Sequence, residues 1–425
     1  MSIKMSSDKK LLVIREWGEI HLGDVNKCEN IDRIYLNKDA WENLEKFADS
    51  DNKEDRFLKF KNSKVLKVQN FVGVITTPDG TQIEILPKIS EDADAEKSRE
   101  TLTKMLKVVH NLPFIKSTEA DLQIKNQPLS EVLIGWFLDC VDGIVKQGVR
   151  QDYSRIQAQE KFLKGQLQTH KQLNEPLHKQ HLFSIEYDVF SPDRAENRLI
   201  HSALMQVLKW SNDNQNQKLV KRFLTFFDEV PLSANYQDDF FKWSNSRALN
   251  YYQSVLPWLK LILNQQSPFT LKDNNAGISF LLPMEVLFER YVVKILRKKY
   301  SLKVQISSKF LSEMPRAFTL KPDIAIVEND KLKYILDTKW KLIDENQVYK
   351  NGNPDKKKGI SQSDVYQLFA YGKKYGVSKV FLIYPQWRKF SQPFGFKFDK
   401  TLQLGVVPFP IDDDKITDFS LEKVL

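Results

Sequence analysis

A chain of 425 residues is long enough for two or three domains with separate cores. Its 41% apolar and 28% charged residues exclude wholesale disorder, and no low-complexity tract or internal repeat stands out. The net charge of +9 favours a polyanionic partner, because lysine and arginine displace the counterions condensed on phosphates. Cys28 and Cys140 lie far apart and fit no metal-ligand spacing, which suits a reducing, cytoplasmic setting. The charged N-terminus has no apolar core of a secretory signal. The most apolar helical stretch, 133–145, holds Asp139 and Asp142 and is too short to span a bilayer, so no membrane partner is expected.

In chain order, residues 1–95 read as a β-rich domain. Leu11-Leu12-Val13-Ile14 opens a strand, a short helix falls near 40–47, and Val65 to Val68 and Phe71 to Thr76 continue the strand pattern. Pro78-Asp79-Gly80 is a turn signal that predicts a hairpin returning through Gln82 to Leu86. Residues 96–270 read as helical: Leu102, Met105, Leu106 and Val109 carry the i, i+3, i+4 spacing, and further helices are expected from Ser130 and over 197–210. His178 and His181 have no converging partners in the sequence and read as surface histidines. Residues 271–425 read as an α/β domain of order α-β-β-β-α-β. Its expected elements are a helix over 284–299, strands over 302–310, 318–327 and 332–341, a helix over 363–375, and a buried strand over 379–384.

The residues that carry chemistry lie in this last stretch. Asn329-Asp330-Lys331 is a short polar turn, and pairing the flanking strands about Asp330 sets Asp323 opposite Asp337. Cross-strand neighbours have Cβ atoms about 5 Å apart, close enough for two carboxylates to share one cation. Lys339, two residues beyond Asp337, points to the same face. Ile324, Ile326, Ile335, Leu336 and Trp340 make the strands largely apolar, so the carboxylates are not spread over a solvated sheet face. A divalent ion bound by oxygen ligands, Mg²⁺ or Mn²⁺, offsets their repulsion; a buried Asp–Lys ion pair is the competing reading of the same spacing.

Pro322-Asp323 and Asp337-Thr338-Lys339 within this element order resemble the PD-(D/E)xK nuclease superfamily. Gln367-Leu368-Phe369-Ala370-Tyr371 is similar to the QxxxY motif of its RecB-like members; Gln367 and Tyr371 are one turn apart on one helix face, with Asp364 on the same side. The resemblance implies catalytic roles for Asp323, Asp337, Lys339, Gln367 and Tyr371, and an acidic metal ligand from the preceding helix, with Glu289 favoured over Glu285. Over nearly the whole chain the sequence resembles McrC proteins, the nuclease subunits of McrBC modification-dependent restriction systems. Val72-Gly73-Val74-Ile75, Ile83-Glu84-Ile85-Leu86-Pro87-Lys88-Ile89, Gly148-Val149-Arg150, Leu163-Lys164-Gly165-Gln166-Leu167, Asn197-Arg198-Leu199-Ile200 and Met284–Glu289 carry that likeness. Lys164 departs from it, standing where the family has arginine.

The McrC resemblance implies a DNA endonuclease that cuts methylated DNA beside a hexameric AAA+ GTPase, McrB, whose GTP hydrolysis it stimulates through its N-terminal domain. Consistent with that division, the chain has no GxxxxGK[ST] loop. Lys356, Lys357 and Lys358, with Arg388, are candidates for contacts to the DNA backbone, against a plain solvated loop as the alternative. A stand-alone RecB-like repair nuclease, and a non-catalytic scaffold that activates a motor NTPase, are the competing functions. Serine, cysteine and HNH-type catalysis are disfavoured, since all six histidines precede residue 271.

Overall fold

The computed structural model describes residues 11–24, 30–48, 57–77, 79–89, 94–109, 127–244, 246–263, 280–304, 309–346, 357–411 and 421. The chain forms two compact units, one from its N-terminal segment to Pro113 together with Leu281–Leu425, the other from Gln127–Phe280. The first and third stretches of the sequence reading thus share one unit, and the fold as a whole is mixed α+β.

In the N-terminal segment, β1 (Leu11–Arg15), β2 (Glu19–Leu22), β3 (Arg33–Leu36), β4 (Leu58–Asn62), β5 (Val65–Val68), β6 (Phe71–Thr76) and β7 (Gln82–Leu86) surround the helix α1 (Lys38–Ala48) and lead to α2 (Ala95–Val109). β6 and β7 form the expected antiparallel hairpin, closed by Thr77 N–H donating to Thr81 O; Pro78 lies outside the described residues. β1 runs parallel to β7, and β6 and β7 are buried along their whole length, so both faces of this sheet are covered. The charged residue in the middle of β7, Glu84, is satisfied by a bidentate pair with Arg99 of α2, at 2.6 and 2.8 Å.

The second unit holds strands as well as the helices that its periodicity suggested. Between α3 (Leu129–Gln147) and the later helices, β8 (Asp152–Glu160), β9 (Gln166–Leu167) and β10 (Phe183–Ser191) form a three-stranded sheet, with the short α4 (Thr169–Leu173) before β10. β8 escaped the sequence reading because it is largely exposed and presents no apolar alternation. α5 (Ala195–Trp210), α6 (Asn214–Leu224), α7 (Tyr236–Phe241) and α8 (Leu256–Leu263) complete the unit. Asn197 is its polar pin: its amide donates to Arg150 O and Pro192 O and accepts from Tyr252 Oη, which also receives Arg150 N–H. His178 and His181 are exposed, and among the described residues no helix is long and apolar enough to cross a membrane.

The C-terminal segment begins with β11 (Phe280–Pro283), which joins the N-terminal sheet beside β6, and continues into α9 (Met284–Leu296), which packs on α2. A six-stranded mixed sheet follows, in the order β12 (Leu302–Val304), β15 (Ile324–Glu328), β16 (Lys331–Thr338), β17 (Lys379–Pro385), β19 (Gln403–Phe409), β18 (Phe394–Lys397). The crossover from β16 to the parallel β17 carries α10 (Gln362–Tyr375). Of the expected strand over 302–310, residues 305–308 lie outside the described residues; β13 (Lys309–Glu313) and β14 (Arg316–Leu320) pair as a separate hairpin, and the strand expected over 318–327 is interrupted where Pro322, which lacks a ladder N–H, separates β14 from β15. The strand expected to end at Lys341 stops at Thr338, and β18 and β19 extend the sheet past its expected last strand. Ile335, Leu368, Tyr371, Val380, Leu382 and Leu404 join in the core under α10.

Candidate active site

The site is built on the β15–β16 hairpin. Asn329 and Asp330 close it with positive φ at both positions, 50° and 58°, the conformation that two-residue hairpin loops use and that Asn and Asp tolerate. This turn pairs Glu328 with Lys331, a register in which Asp323 would fall opposite Leu336. The irregularity between Ile326 and Val327 shifts the pairing by one residue, so that Ile324 lies opposite Leu336 and Asp323 is brought level with Asp337.

Asp323 is fixed there by the residue between the other two members of the motif. Its Oδ2 accepts the Thr338 backbone N–H at 2.9 Å and the Thr338 hydroxyl at 3.0 Å. Asp337 is 1% exposed. Its Oδ2 lies 2.7 Å from the Lys339 ammonium, a close charge contact that nevertheless lacks hydrogen-bond direction, leaving this buried oxygen without a directed donor. Burial, and then the Asp323 charge, push the Asp337 carboxyl well above the usual carboxylate range, while Lys339 pulls against them. Lys339 is held above the ordinary lysine value: burial alone would lower it, but Asp337, Asp323 and Asp364 together outweigh that effect. Its backbone N–H donates to Ile383 O, which continues the β16–β17 register beyond Thr338.

Two helices close round this centre. On α9, Glu289 is half-buried and its carboxyl is raised, first by burial and then by the charge of Asp323. Glu285, one turn earlier, instead borders a cavity with Glu16 and adds its charge there. On α10, Gln367 Nε2 donates to Tyr371 Oη at 2.8 Å, and that hydroxyl donates to Lys321 O at 3.1 Å. The two side chains therefore grip the backbone just ahead of Pro322-Asp323. Burial and the two aspartates raise the Tyr371 phenol, so it stays a donor. Asp364 accepts from Tyr384 Oη at 3.4 Å.

Among the described residues, no three His, Cys, Asp or Glu side chains converge into a ready-made metal cage. Asp337 and Asp323, with Glu289 at electrostatic range, nonetheless fit a hard divalent ion. Mg²⁺ typically takes one or two carboxylates and completes its shell with water and phosphate, and the Asp337 oxygen without a directed donor is the group such an ion would satisfy. Of the basic residues expected to meet DNA, Lys357 donates to Gln362 Oε1, Lys358 stands 4.3 Å from the centre of the Phe394 ring, and Arg388 is exposed beyond β17; Lys356 lies outside the described residues.

Three further residues reach this region from the N-terminal segment: Lys88, which lies in the Ile83–Ile89 run that carries the family likeness, and Glu16 and Trp17, which nothing in the local sequence marks. Glu16, 1% exposed, accepts the Trp340 indole N–H at 2.6 Å and Lys88 N–H at 2.7 Å on Oε1, while its Oε2 is buried without a partner. Trp17 and Lys88 line the same cavity as Lys339 and Trp340.

The fold and these residues define a multidomain α+β protein with a carboxylate–lysine centre on a mixed sheet. Residues 66–385 match the family described as McrBC 5-methylcytosine restriction system component. The chain belongs to that family. A chain of the refined half-complex from the tetradecameric assembly of Thermococcus gammatolerans McrB AAA+ hexamers with bound McrC shares the fold, with a TM-score of 0.72 at 18% identity, covering 98% of this chain and 100% of that one. A chain of the cryo-EM structure of the Thermococcus gammatolerans McrBC complex aligns at a TM-score of 0.50 and 20% identity, covering 68% of this chain and 88% of that one. No curated protein matches.

Proposed function

We propose that this chain is the nuclease subunit of a McrBC-type restriction system, hydrolysing phosphodiesters of methylated DNA at the Asp323–Asp337–Lys339 centre beside a hexameric AAA+ GTPase partner. The observation that carries the reading is the bulged register, which sets Asp323 level with the buried Asp337, whose Oδ2 lies 2.7 Å from the Lys339 ammonium. Asp337 and Asp323, with Glu289, would hold Mg²⁺ or Mn²⁺. Bound there, the ion supplies charge neutralisation at the phosphate and a lowered pKa for water.

The chain's own groups do the rest. Lys339, kept protonated by the surrounding carboxylates, neutralises charge developing on the phosphate and orients the attacking water. Thr338 positions Asp323 through its hydroxyl and its N–H. Gln367 and Tyr371 act as positioning residues through the Lys321 carbonyl. Lys357, Lys358 and Arg388 are proposed contacts to the DNA backbone. A partnership with a McrB-like GTPase is supported by membership of the family and by the absence of a P-loop in the sequence.

The test is cleavage of duplex DNA in Mg²⁺ by wild type beside Asp337→Asn and Lys339→Ala, each with the GTPase supplied. Loss of cleavage in both variants is expected; cleavage by Asp337→Asn at the wild-type rate would remove this assignment.

A further inference from the structure

A cavity of about 490 Å³ opens beside the catalytic lysine, bordered by Glu16, Trp17, Lys88, Lys339, Trp340 and Lys341 among others. Three properties set it apart from an incidental cleft. Trp17 is 45% exposed at its edge, and its backbone is left-handed, with φ of 68°. It occupies the third position of the turn that Gly18 N–H closes onto Arg15 O, a place where positive φ normally selects glycine. A bulky residue persists in such a conformation only where its surroundings fix it, and such residues cluster at ligand clamps. Within the cavity wall, the Glu16 carboxylate is almost wholly buried, yet its Oε2 has no partner. The third property is charge of both signs: Lys88, Lys339 and Lys341 line the cavity with Glu16, Glu285 and Asp364, and Lys67 lies 5.9 Å from the Trp17 ring centre.

We propose that this cavity binds a single unpaired nucleotide of the DNA strand being cut, its base stacked on Trp17 and its phosphate held by Lys88 and Lys341. The volume is that of a small-ligand pocket, roughly 300–1,000 Å³, which admits a nucleotide but no duplex. An indole accepts any base by stacking. The wall residues from the N-terminal segment thereby turn a bare hydrolytic centre into a strand-holding one. The inference rests on the nuclease reading above.

The experiment uses the full chain without divalent ion and a short single-stranded oligonucleotide carrying 2-aminopurine, whose fluorescence falls on stacking. Wild type and Asp337→Asn quench it equally, and Trp17→Phe keeps most of the quenching. Trp17→Gly suits the left-handed backbone, so the protein stays folded by circular dichroism, but it loses the quenching and binds about tenfold more weakly. Lys88→Ala lowers the salt dependence of binding by about one ion. Undiminished quenching by Trp17→Gly overturns the proposal, as does equally effective displacement by free GTP, which would assign the cavity to mononucleotides. Cleavage that survives Asp337→Asn while quenching still depends on Trp17 would instead overturn the catalytic assignment alone.

Discussion

Replacing Glu16 by glutamine exchanges a buried carboxylate for a neutral group of the same shape. Oε1 remains to accept from Trp340 and Lys88, so the packing of the hairpin against the N-terminal sheet is retained. Burial raises the Glu16 carboxyl from 4.5 to about 7, against the opposing pull of the Trp340 and Lys88 hydrogen bonds. Between those values the folded state binds a proton that the unfolded state has lost, so stability falls as pH rises through this range. Each pH unit of displacement is worth about 1.4 kcal/mol, and the group is shielded from solvent, so the full effect is on the order of 3 kcal/mol. Glu16→Gln removes it. The variant should match wild type near pH 4.5 and exceed it by about 3 kcal/mol above pH 7. Urea unfolding read by hydrogen exchange of peptides spanning β1 follows this unit apart from the other. A difference that does not change with pH, or a variant less stable than wild type at pH 8, would rule out a raised Glu16 carboxyl.

Other perturbations test neighbouring links. Thr338→Val removes the hydroxyl that fixes Asp323 but keeps the N–H; metal affinity from a calorimetric titration should fall about tenfold or more while the fold survives. Tyr371→Phe frees the Lys321 carbonyl, so the melting temperature should show a loss of about 1 kcal/mol, with slower cleavage at unchanged metal affinity. Gly165→Ala adds a Cβ that would stand 2.4 Å from Glu186 O at a φ of +69°. It should cost more than about 1 kcal/mol, seen as faster amide exchange in β10.

The parts of the site that the sequence made legible are those within one hairpin and one helix. The polar turn at Asn329-Asp330 and the apolar flanks announce β15 and β16, and the spacing of Gln367 and Tyr371 puts them on one face of α10. The irregularity at Ile326/Val327 has no local signature, although the level pairing of Asp323 with Asp337 depends on it. Thr338 sits inside the motif, yet its bond to Asp323 is a cross-strand matter that periodicity does not encode. Glu16 meets Trp340 across 324 positions of sequence, and only the folded chain brings them together. In the other unit, β8 reads Asp-Tyr-Ser-Arg-Ile-Gln-Ala-Gln-Glu, too polar for the alternation rule, because it is an exposed strand with no core to face.

Restriction by this chain is read most directly from cleavage of cytosine-methylated and unmethylated plasmid in Mg²⁺, with GTP and the partner GTPase, by wild type and Asp337→Asn. Cleavage should need methylation, GTP and Asp337 together. Cleavage without partner or GTP would point to a stand-alone nuclease. An unaltered rate in Asp337→Asn, or stimulated GTP hydrolysis with no cleavage by wild type, would contradict the central claim.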